Sequence, residues 1–115
     1  MLKHQGHKIE MIEGDFGIGL PIEIITGEGE TIGENDNFRV SVFKEMDSEP
    51  LIEKIYQVDE NNTFDFILTE QESKLLEVGY YLYDIDYYSG NIFMNNLIAK
   101  EDFNVKEKAR ALNED

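Results

Sequence analysis

Asp84 and Asp86 are the two side chains whose type and spacing come closest to a catalytic pair. They lie in the stretch GYYLYDIDYYSG, residues 79–90. Because alternate residues of a β-strand share a face, both carboxylates project from one side, about 6.5 to 7 Å apart at the backbone. Two carboxylates at such a separation can perform glycoside chemistry. The chain contains no tryptophan to line a sugar cleft, so the solvated face of a strand is the favoured interpretation.

Other catalytic arrangements have few residues to draw on. The chain has no cysteine, and its two histidines are His4 and His7. Their i, i+3 spacing would suit metal binding on a helix, but Gly6 lies between them and no further ligand is near, which favours a frayed terminus. We therefore expect no catalytic residue, no metal site and no cofactor, and we predict that the protein is not an enzyme.

An acidic loop is the second place where a cation could bind. The segment TGEGETIGENDN, residues 26–37, carries Glu28, Glu30, Glu34 and Asp36 among three glycines. A calcium loop of EF-hand type needs ligands at fixed offsets, a central glycine and a terminal bidentate glutamate, and this order is missing. A solvated loop is the favoured interpretation, and a calcium-stabilised domain is a third, weaker hypothesis.

The tyrosine-rich stretch also predicts a contact surface. At period two, one of its faces is apolar or aromatic and is expected to pack on a core: Tyr81, Tyr83, Ile85 and Tyr87. The opposite face supplies the predicted interaction surface: Tyr80, Asp84, Asp86 and Tyr88. Tyrosines beside carboxylates can stack on sugar rings, and tyrosine is also enriched at protein interfaces. The residues leave both uses open, along with partial burial of the tyrosines under a neighbouring strand.

The segments around this stretch read as further short strands separated by turns. Strands are expected at residues 8–13, 16–24, 38–46, 51–58, 63–68, 92–98 and 103–105. Residues 16–24 alternate most cleanly, with Phe16, Ile18, Leu20, Ile22 and Ile24 on one face and Pro21 marking an edge or a bulge. Residues 69–76 predict the one short helix, because Thr69 and Glu72 have capping-box spacing.

This pattern predicts an all-β fold, with residues 79–90 as its central strand. We expect an antiparallel immunoglobulin-like β-sandwich of seven or eight strands, with one short crossover helix between its sheets. An up-and-down barrel is the alternative. The expected boundaries are a flexible N-terminal tail at residues 1–7, the sandwich domain at residues 8–106 and a C-terminal tail, helical in part, at residues 107–115.

Composition limits the classes of partner. The chain has 115 residues, enough for one domain with a single core, and 41% of them are hydrophobic. Its formal net charge of −15 would be repelled by phosphate backbones and anionic lipid, so neither nucleic acid nor membrane is an expected partner. The N-terminal residues are polar, so no signal peptide is predicted.

The order of the strand and turn motifs resembles a known family. The motifs are Gly14-Asp15-Phe16, Leu20-Pro21-Ile22, Asp36-x-Phe38-x-Val40-x-Val42, Leu68-Thr69-x-x-Glu72, Gly79-x-Tyr81-x-Tyr83-x-Ile85 and Phe103-x-Val105. Together they resemble the immunoglobulin-like N-terminal domain of baseplate upper proteins, and of related tail or head accessory proteins, from phages of Gram-positive bacteria. The resemblance spans residues 9–106 and includes no catalytic motif.

The resemblance implies a non-enzymatic phage or prophage structural protein. Its expected partners are other protein chains, either copies of itself in a homo-oligomer or other phage structural proteins. Such a protein would occupy the host bacterial cytoplasm during assembly and the virion afterwards. A carbohydrate-binding or adhesion module that uses the tyrosine-rich strand is the alternative.

Overall fold

Strands make up nearly all the regular structure in the computed structural model, which describes residues 8–107. The elements in chain order are β1 (Ile9–Ile12), β2 (Leu20–Glu23), β3 (Asp36–Phe43), β4 (Pro50–Tyr56), β5 (Thr63–Phe66), α1 (Glu70–Ser73), β6 (Gly79–Ser89) and β7 (Ile92–Lys106). The prediction of an all-β protein is confirmed. Within the described residues, no helix is long and apolar enough to cross a membrane.

The strands form a five-stranded sheet and a two-stranded sheet. The order in the large sheet is β1-β7-β6-β3-β4, and β2 pairs with β5 in the small one. β6 is therefore the central strand of the large sheet, as the sequence predicted. The prediction that all pairing is antiparallel was wrong, because β1 runs parallel to the end of β7, with Ile9 opposite Phe103.

The inner face of the large sheet carries the core residues that the period-two pattern predicts. On β6, Tyr81, Tyr83 and Ile85 are buried. On the neighbouring β3, the side chains of Phe38 and Val40 are also buried, and the antiparallel register places them opposite Tyr87 and Ile85. Alternation specifies this register, because a slip of one residue would turn every core side chain toward the solvent.

Aromatic contacts join the small sheet to this inner face. Phe64 on β5 stacks on Phe38 at 6.0 Å and on Tyr56 at 4.9 Å between ring centroids. Phe66 meets Phe103 of β7 edge to face at 6.1 Å. The two sheets thus share one hydrophobic core, and its aromatic pairs favour the offset and edge-to-face geometries expected of rings.

The capping box predicted at Thr69 is present, and it begins the short helix between the two sheets. The Thr69 hydroxyl accepts from the amide of Glu72, and a Glu72 carboxylate oxygen accepts from the amide of Thr69 at 2.8 Å. Lys54 of β4 donates to the same Glu72 oxygen at 2.8 Å and also to the carbonyl oxygen of Ile67. The cap therefore ties the crossover helix to the edge of the large sheet.

The strand predicted at residues 16–24 is shorter than expected. β2 begins at Leu20, so Phe16 and Ile18 lie outside the strand that was predicted to include them, and they are 49% and 68% exposed. Gly17 is the reason, because its φ of 71° breaks the extended chain and its amide donates to the carbonyl of Leu68. Ile22, beyond this break, is buried as predicted.

The two strands predicted at residues 92–98 and 103–105 are one strand of 15 residues, β7. The expected break between them is a β-bulge, at which Lys100 has a φ of 52° and the pairing with β6 shifts register. A bulge bends a strand without ending it, which is why one strand can follow β6 along its whole length. The predicted tails, residues 1–7 and 107–115, lie outside the described residues except for Glu107.

The contact of Phe103 with both sheets yields a stability prediction. Phe103 is 1% exposed and meets Tyr83 at 6.2 Å as well as Phe66. Phe103→Ala is expected to lower the free energy of unfolding by about 3 to 5 kcal/mol in urea titrations. Phe93→Ala, at a site 54% exposed, is the matched control and should cost no more than about 1.5 kcal/mol, the value of its edge-to-face pair with Tyr88. Equal losses in both variants would contradict this account of the core.

The cap yields a pH-dependence prediction. Burial alone would raise the pKa of Glu72, but hydrogen bonds from Lys54 and Thr69 outweigh it and lower the pKa below the ordinary 4.5. A carboxyl group whose pKa is lower in the folded than in the unfolded protein stabilises the fold at pH values above its unfolded pKa. This stabilisation is lost as the pH falls through the folded pKa. Glu72→Gln should therefore destabilise the protein at pH 7, by about 1 kcal/mol, and progressively less toward pH 3.

Glu70→Gln is the control on the same helix, because the Glu70 carboxylate forms an exposed ion pair with Lys74 at 3.8 Å. Chemical denaturation at several pH values measures both variants. A Glu72→Gln deficit that does not shrink on acidification would show that the carboxylate charge is not what stabilises the cap.

Candidate functional site

The structure separates the four residues of the predicted interaction surface. Tyr80, Asp84, Asp86 and Tyr88 all lie on the outer face of β6, as the alternation predicts. Tyr80 is near one end of the strand and Tyr88 near the other, roughly 26 Å apart at the usual rise per residue. Tyr80 is 79% exposed, whereas the other three have close partners on neighbouring strands. They do not form one continuous site.

Asp86 lies at the centre of a polar row that crosses the outer face. The strand register places it opposite Arg39 on β3 and Asn96 on β7. Arg39 Nη2 donates to Asp86 Oδ2 at 3.1 Å, and Asn96 Nδ2 donates to Asp86 Oδ1 at 2.7 Å. Asp86 is only 8% exposed, so the expectation that its carboxylate faces water was wrong. Two neighbouring strands supply the partners that make this burial tolerable.

Asp84 is engaged by the bulge in β7. The amide of Lys100 donates to Asp84 Oδ1 at 2.7 Å, and the Lys100 ammonium group donates to Oδ2 at 2.9 Å. The ammonium nitrogen also lies 3.3 Å from the ring centroid of Phe43. Lys100 therefore covers both a carboxylate and an aromatic ring, and Asp84 accepts a backbone amide at the bulge.

These contacts decide what the two carboxylates can do. Both oxygens of Asp84 and both oxygens of Asp86 already accept hydrogen bonds from side chains or backbone of the same protein. Each of these bonds occupies one acceptor position of its oxygen. The pair thus acts in holding β3, β6 and β7 in register across the outer face.

Tyr88 belongs to an aromatic and cationic surface beside this polar row. Its ring meets Phe93 of β7 edge to face at 5.6 Å, and the guanidinium carbon of Arg39 lies 5.1 Å from its centroid. Ile55 on β4 is opposite Arg39 in the register and is 69% exposed. Arg39, Ile55, Tyr88 and Phe93 are called the contact surface below.

Arg39 remains cationic in this position. Burial alone would lower the pKa of its guanidinium group, but the hydrogen bond from Arg39 to Asp86 and the nearby negative charges outweigh it and raise the pKa. A second carboxylate, that of Glu53, lies 3.5 Å from Nη1. The guanidinium group can therefore hold the carboxylate while its flat face lies against an aromatic ring.

Sequence reasoning missed three of the four contact-surface residues. Phe93 could have been found from the predicted turn at residues 89–91, because a two-residue hairpin loop places positions 88 and 93 close together. Arg39 and Ile55 give no such signal. They reach the surface through two strand pairings. β6 and β3 are far apart in the sequence, and the turn between β3 and β4 does not fix their register.

The acidic loop uses some of its carboxylates within its own turns. Glu30 accepts from the amide of Gly27 at 2.8 Å, and Asp36 accepts from the amide of Gly33 at 2.8 Å. The other Asp36 oxygen accepts from the hydroxyl of Tyr87 at 3.2 Å. Across residues 8–107, no group of three or more histidine, aspartate or glutamate side chains is arranged to hold a metal ion. His4 and His7 lie outside this range.

Comparison with known proteins adds no relative to these observations. No protein-family model matches the chain, and no curated protein matches its sequence. The resemblance to phage baseplate proteins therefore remains a prediction.

The polar row yields a prediction about Arg39. Removing its guanidinium group leaves Asp86 buried with one oxygen unpaired, so Arg39→Met is expected to lower the free energy of unfolding by about 1 to 3 kcal/mol. Lys74→Met removes an exposed cation whose partner is also exposed and should cost less than about 0.5 kcal/mol. Thermal and urea unfolding measure both. An Arg39→Met loss no larger than that of Lys74→Met would contradict a structural role for the row.

Proposed function

We propose that this protein is a non-enzymatic structural or assembly component of a phage or prophage, acting through protein–protein contacts in a baseplate, a tail or a head accessory complex. The observation that carries the proposal is the engagement of both oxygens of Asp84 and of Asp86 by the protein's own groups. This engagement counts against the one candidate catalytic pair and supports a firmly held outer face whose exposed groups suit contact with another protein.

The composition of the contact surface supports a protein partner. Arginine and tyrosine are the residues most often found at energetic hot spots of protein interfaces, and interface cores are depleted of free charge. Arg39 and Tyr88 lie against each other here, with Phe93 and Ile55 at their sides. The Arg39 charge is balanced by Asp86, so a partner need not supply a counterion.

An immunoglobulin-like fold is part of the same proposal. We take the two sheets and their shared core as an immunoglobulin-like sandwich in which the two-stranded sheet covers the large one. The packing of Phe64 and Phe66 on the inner face supports this. The protein would be made in the host bacterial cytoplasm and incorporated into the virion in several copies, with no direct contact to nucleic acid or membrane.

A carbohydrate-binding or adhesion module is the second candidate. The exposure of Tyr80, whose side chain is 79% accessible on the outer face, favours it, because an open tyrosine ring can stack on a sugar. The engaged carboxylates count against it, since each of their oxygens already accepts a hydrogen bond within the protein.

A glycan array separates the two candidates. The assembly role predicts no saturable glycan binding by the wild-type protein. Saturable binding that is lost in Tyr88→Ala or in Tyr80→Ala would overturn it and identify which tyrosine carries the sugar. Phe16→Ala, which changes an exposed ring away from β6, is the control for general loss of aromatic surface.

The phage role is tested separately in the bacterium that encodes the chain. After prophage induction, particles are purified by density gradient and their proteins are identified by mass spectrometry. The proposal expects this chain in the particle fraction at several copies per particle. Its presence only in the soluble lysate, with particles otherwise complete, would overturn the virion assignment.

A further inference from the structure

β4 is an edge strand of the large sheet, and its outer edge is unpaired in the described part of the chain. The sheet order places β4 last, where it pairs with β3 alone. Within residues 8–107, its backbone forms no hydrogen bond to another backbone group outside that pairing. The amides and carbonyls of alternate β4 residues therefore point away from the sheet, where they can pair with an added strand.

The β4 edge is regular enough to accept such a strand. Its pairing with β3 keeps one register from Ile52 to Tyr56, and the irregularity in this pairing lies before Ile52, beside Pro50. Natural edges are often protected by a lysine, and Lys54 lies on this strand. Its ammonium group donates to Glu72 of α1 at 2.8 Å, so Lys54 is held toward the crossover helix.

The chain around this edge is strongly acidic. Residues 45–73 contain nine acidic residues and one basic residue, Lys54. Glu53 lies on the outer face of β4, and its side chain is 47% exposed beside Arg39. At the opposite edge of the sheet, two lysines pair with the glutamate of β1 instead. A basic partner is therefore attracted to the β4 edge, whereas a second acidic copy is repelled.

An open cavity of about 400 Å³ lies where β4 ends and β5 begins. Its walls include Tyr56 and Phe64, whose rings stack at 4.9 Å between centroids, together with Asp59 and Asp65. No lysine or arginine of the described chain lines it. A cavity of this size has room for one long side chain, and a guanidinium group can stack on an aromatic ring while it pairs with a carboxylate.

We propose that the β4 edge binds an extended, basic segment of a partner protein. The segment adds to the large sheet as a further strand, and one of its basic side chains enters the cavity at the end of β4. Backbone hydrogen bonds supply affinity, and the acidic surroundings select the partner. The proposal names the chemistry of the partner in the assembly role above and rests on that role.

The outer face of β4 specifies the pattern of this segment. In an added strand, the residue opposite Glu53 shares its face, and a residue two positions away lies opposite Ile55. Glu53 favours a basic residue at the first position, and Ile55, which is 69% exposed, favours an apolar residue at the second. Basic and apolar residues should therefore alternate along one face of the segment. Because Ile55 belongs to the contact surface, the added strand would extend that surface.

Fluorescence anisotropy of a labelled synthetic peptide tests the binding, with the full chain as titrant. The peptide has the seven-residue length of β4, with arginine and valine alternating on one face and threonine, which favours strands, on the other. We expect saturable binding that weakens at least about tenfold from about 20 to 500 mM salt, because salt screens the attraction. A peptide with glutamate in place of arginine is the control and should not bind. Equal binding of both peptides, or no binding of the arginine peptide, overturns the proposal.

Methylation of the peptide backbone separates strand addition from simple attraction of charge. In an added strand, the amides of alternate peptide residues face β4 and the others face the solvent. N-methylation of one alternate set should weaken binding at least about tenfold, because the hydrogen bonds to β4 are lost. N-methylation of the other set should leave the affinity nearly unchanged. Equal effects of the two sets would show that no strand is added and would overturn the proposal.

Two variants of the protein locate the binding on the sheet. Glu53→Gln should weaken binding of the arginine peptide about two- to fivefold, the range for one exposed ion pair. Glu13→Gln removes one exposed charge beside β1, at the opposite edge, and is the matched control that should leave the affinity unchanged. Both variants should keep the wild-type melting temperature. Equal weakening in both would assign the binding to net charge instead of the β4 edge, which overturns the proposal.

The edge site and the virion role can fail separately. If the peptide binds as expected but the chain is absent from purified particles, the edge site stands and the virion role fails. If the chain is found in particles but does not bind the peptide, the assembly role stands with another contact and the edge site fails. Self-association of the full chain in sedimentation velocity, without peptide binding, would favour a second copy as the occupant and overturn a basic partner.

Discussion

The pairing of β6 with β7 is the interaction on which the rest of the structure depends. It runs from the Gly90 turn to Gly79 opposite Val105, and β3 pairs along the other edge of β6. Because other strands pair along both edges of β6, only its two faces are left for side-chain contacts. One carries the core and the other carries ion pairs. β7 also pairs with β1 along its last residues. The same strand therefore follows the hairpin turn at one end and pairs with the edge strand β1 at the other.

Net charge is the second constraint, and three of the cationic side chains lie beside partly buried carboxylates. The chain has 10 basic and 25 acidic residues. Arg39 and Lys100 lie against the two carboxylates that the sheet partly buries, and Lys54 lies against the helix cap. Buried carboxylates without partners would be costly, whereas exposed ones need none. Most of the other acidic side chains lie on the outside, where their like charges repel other acidic molecules.

The sequence predicted those features that are specified by residues close to one another in the chain. The faces of β6 and the capping box at Thr69 are local patterns, read from residues a few positions apart, and both were right. The parallel pairing of β1 was missed because nothing in four residues specifies a partner almost a whole chain away. Phe16 and Ile18 alternated correctly, but one left-handed glycine took them out of the ladder. Arg39 became part of the candidate site only through the register of β3 against β6.

The two constraints together determine what the outer face of the sheet offers to a partner. The outer face of the sheet is stabilised by its own ion pairs, in which both oxygens of Asp84 and of Asp86 accept hydrogen bonds, whereas Arg39 Nε is buried without a partner among residues 8–107. A partner that docks there gains apolar and ring contacts from Tyr88 and Ile55 but few new hydrogen bonds. An acidic partner also meets repulsion from the net charge of −15, so the apolar and ring contacts of this face have to exceed that electrostatic cost.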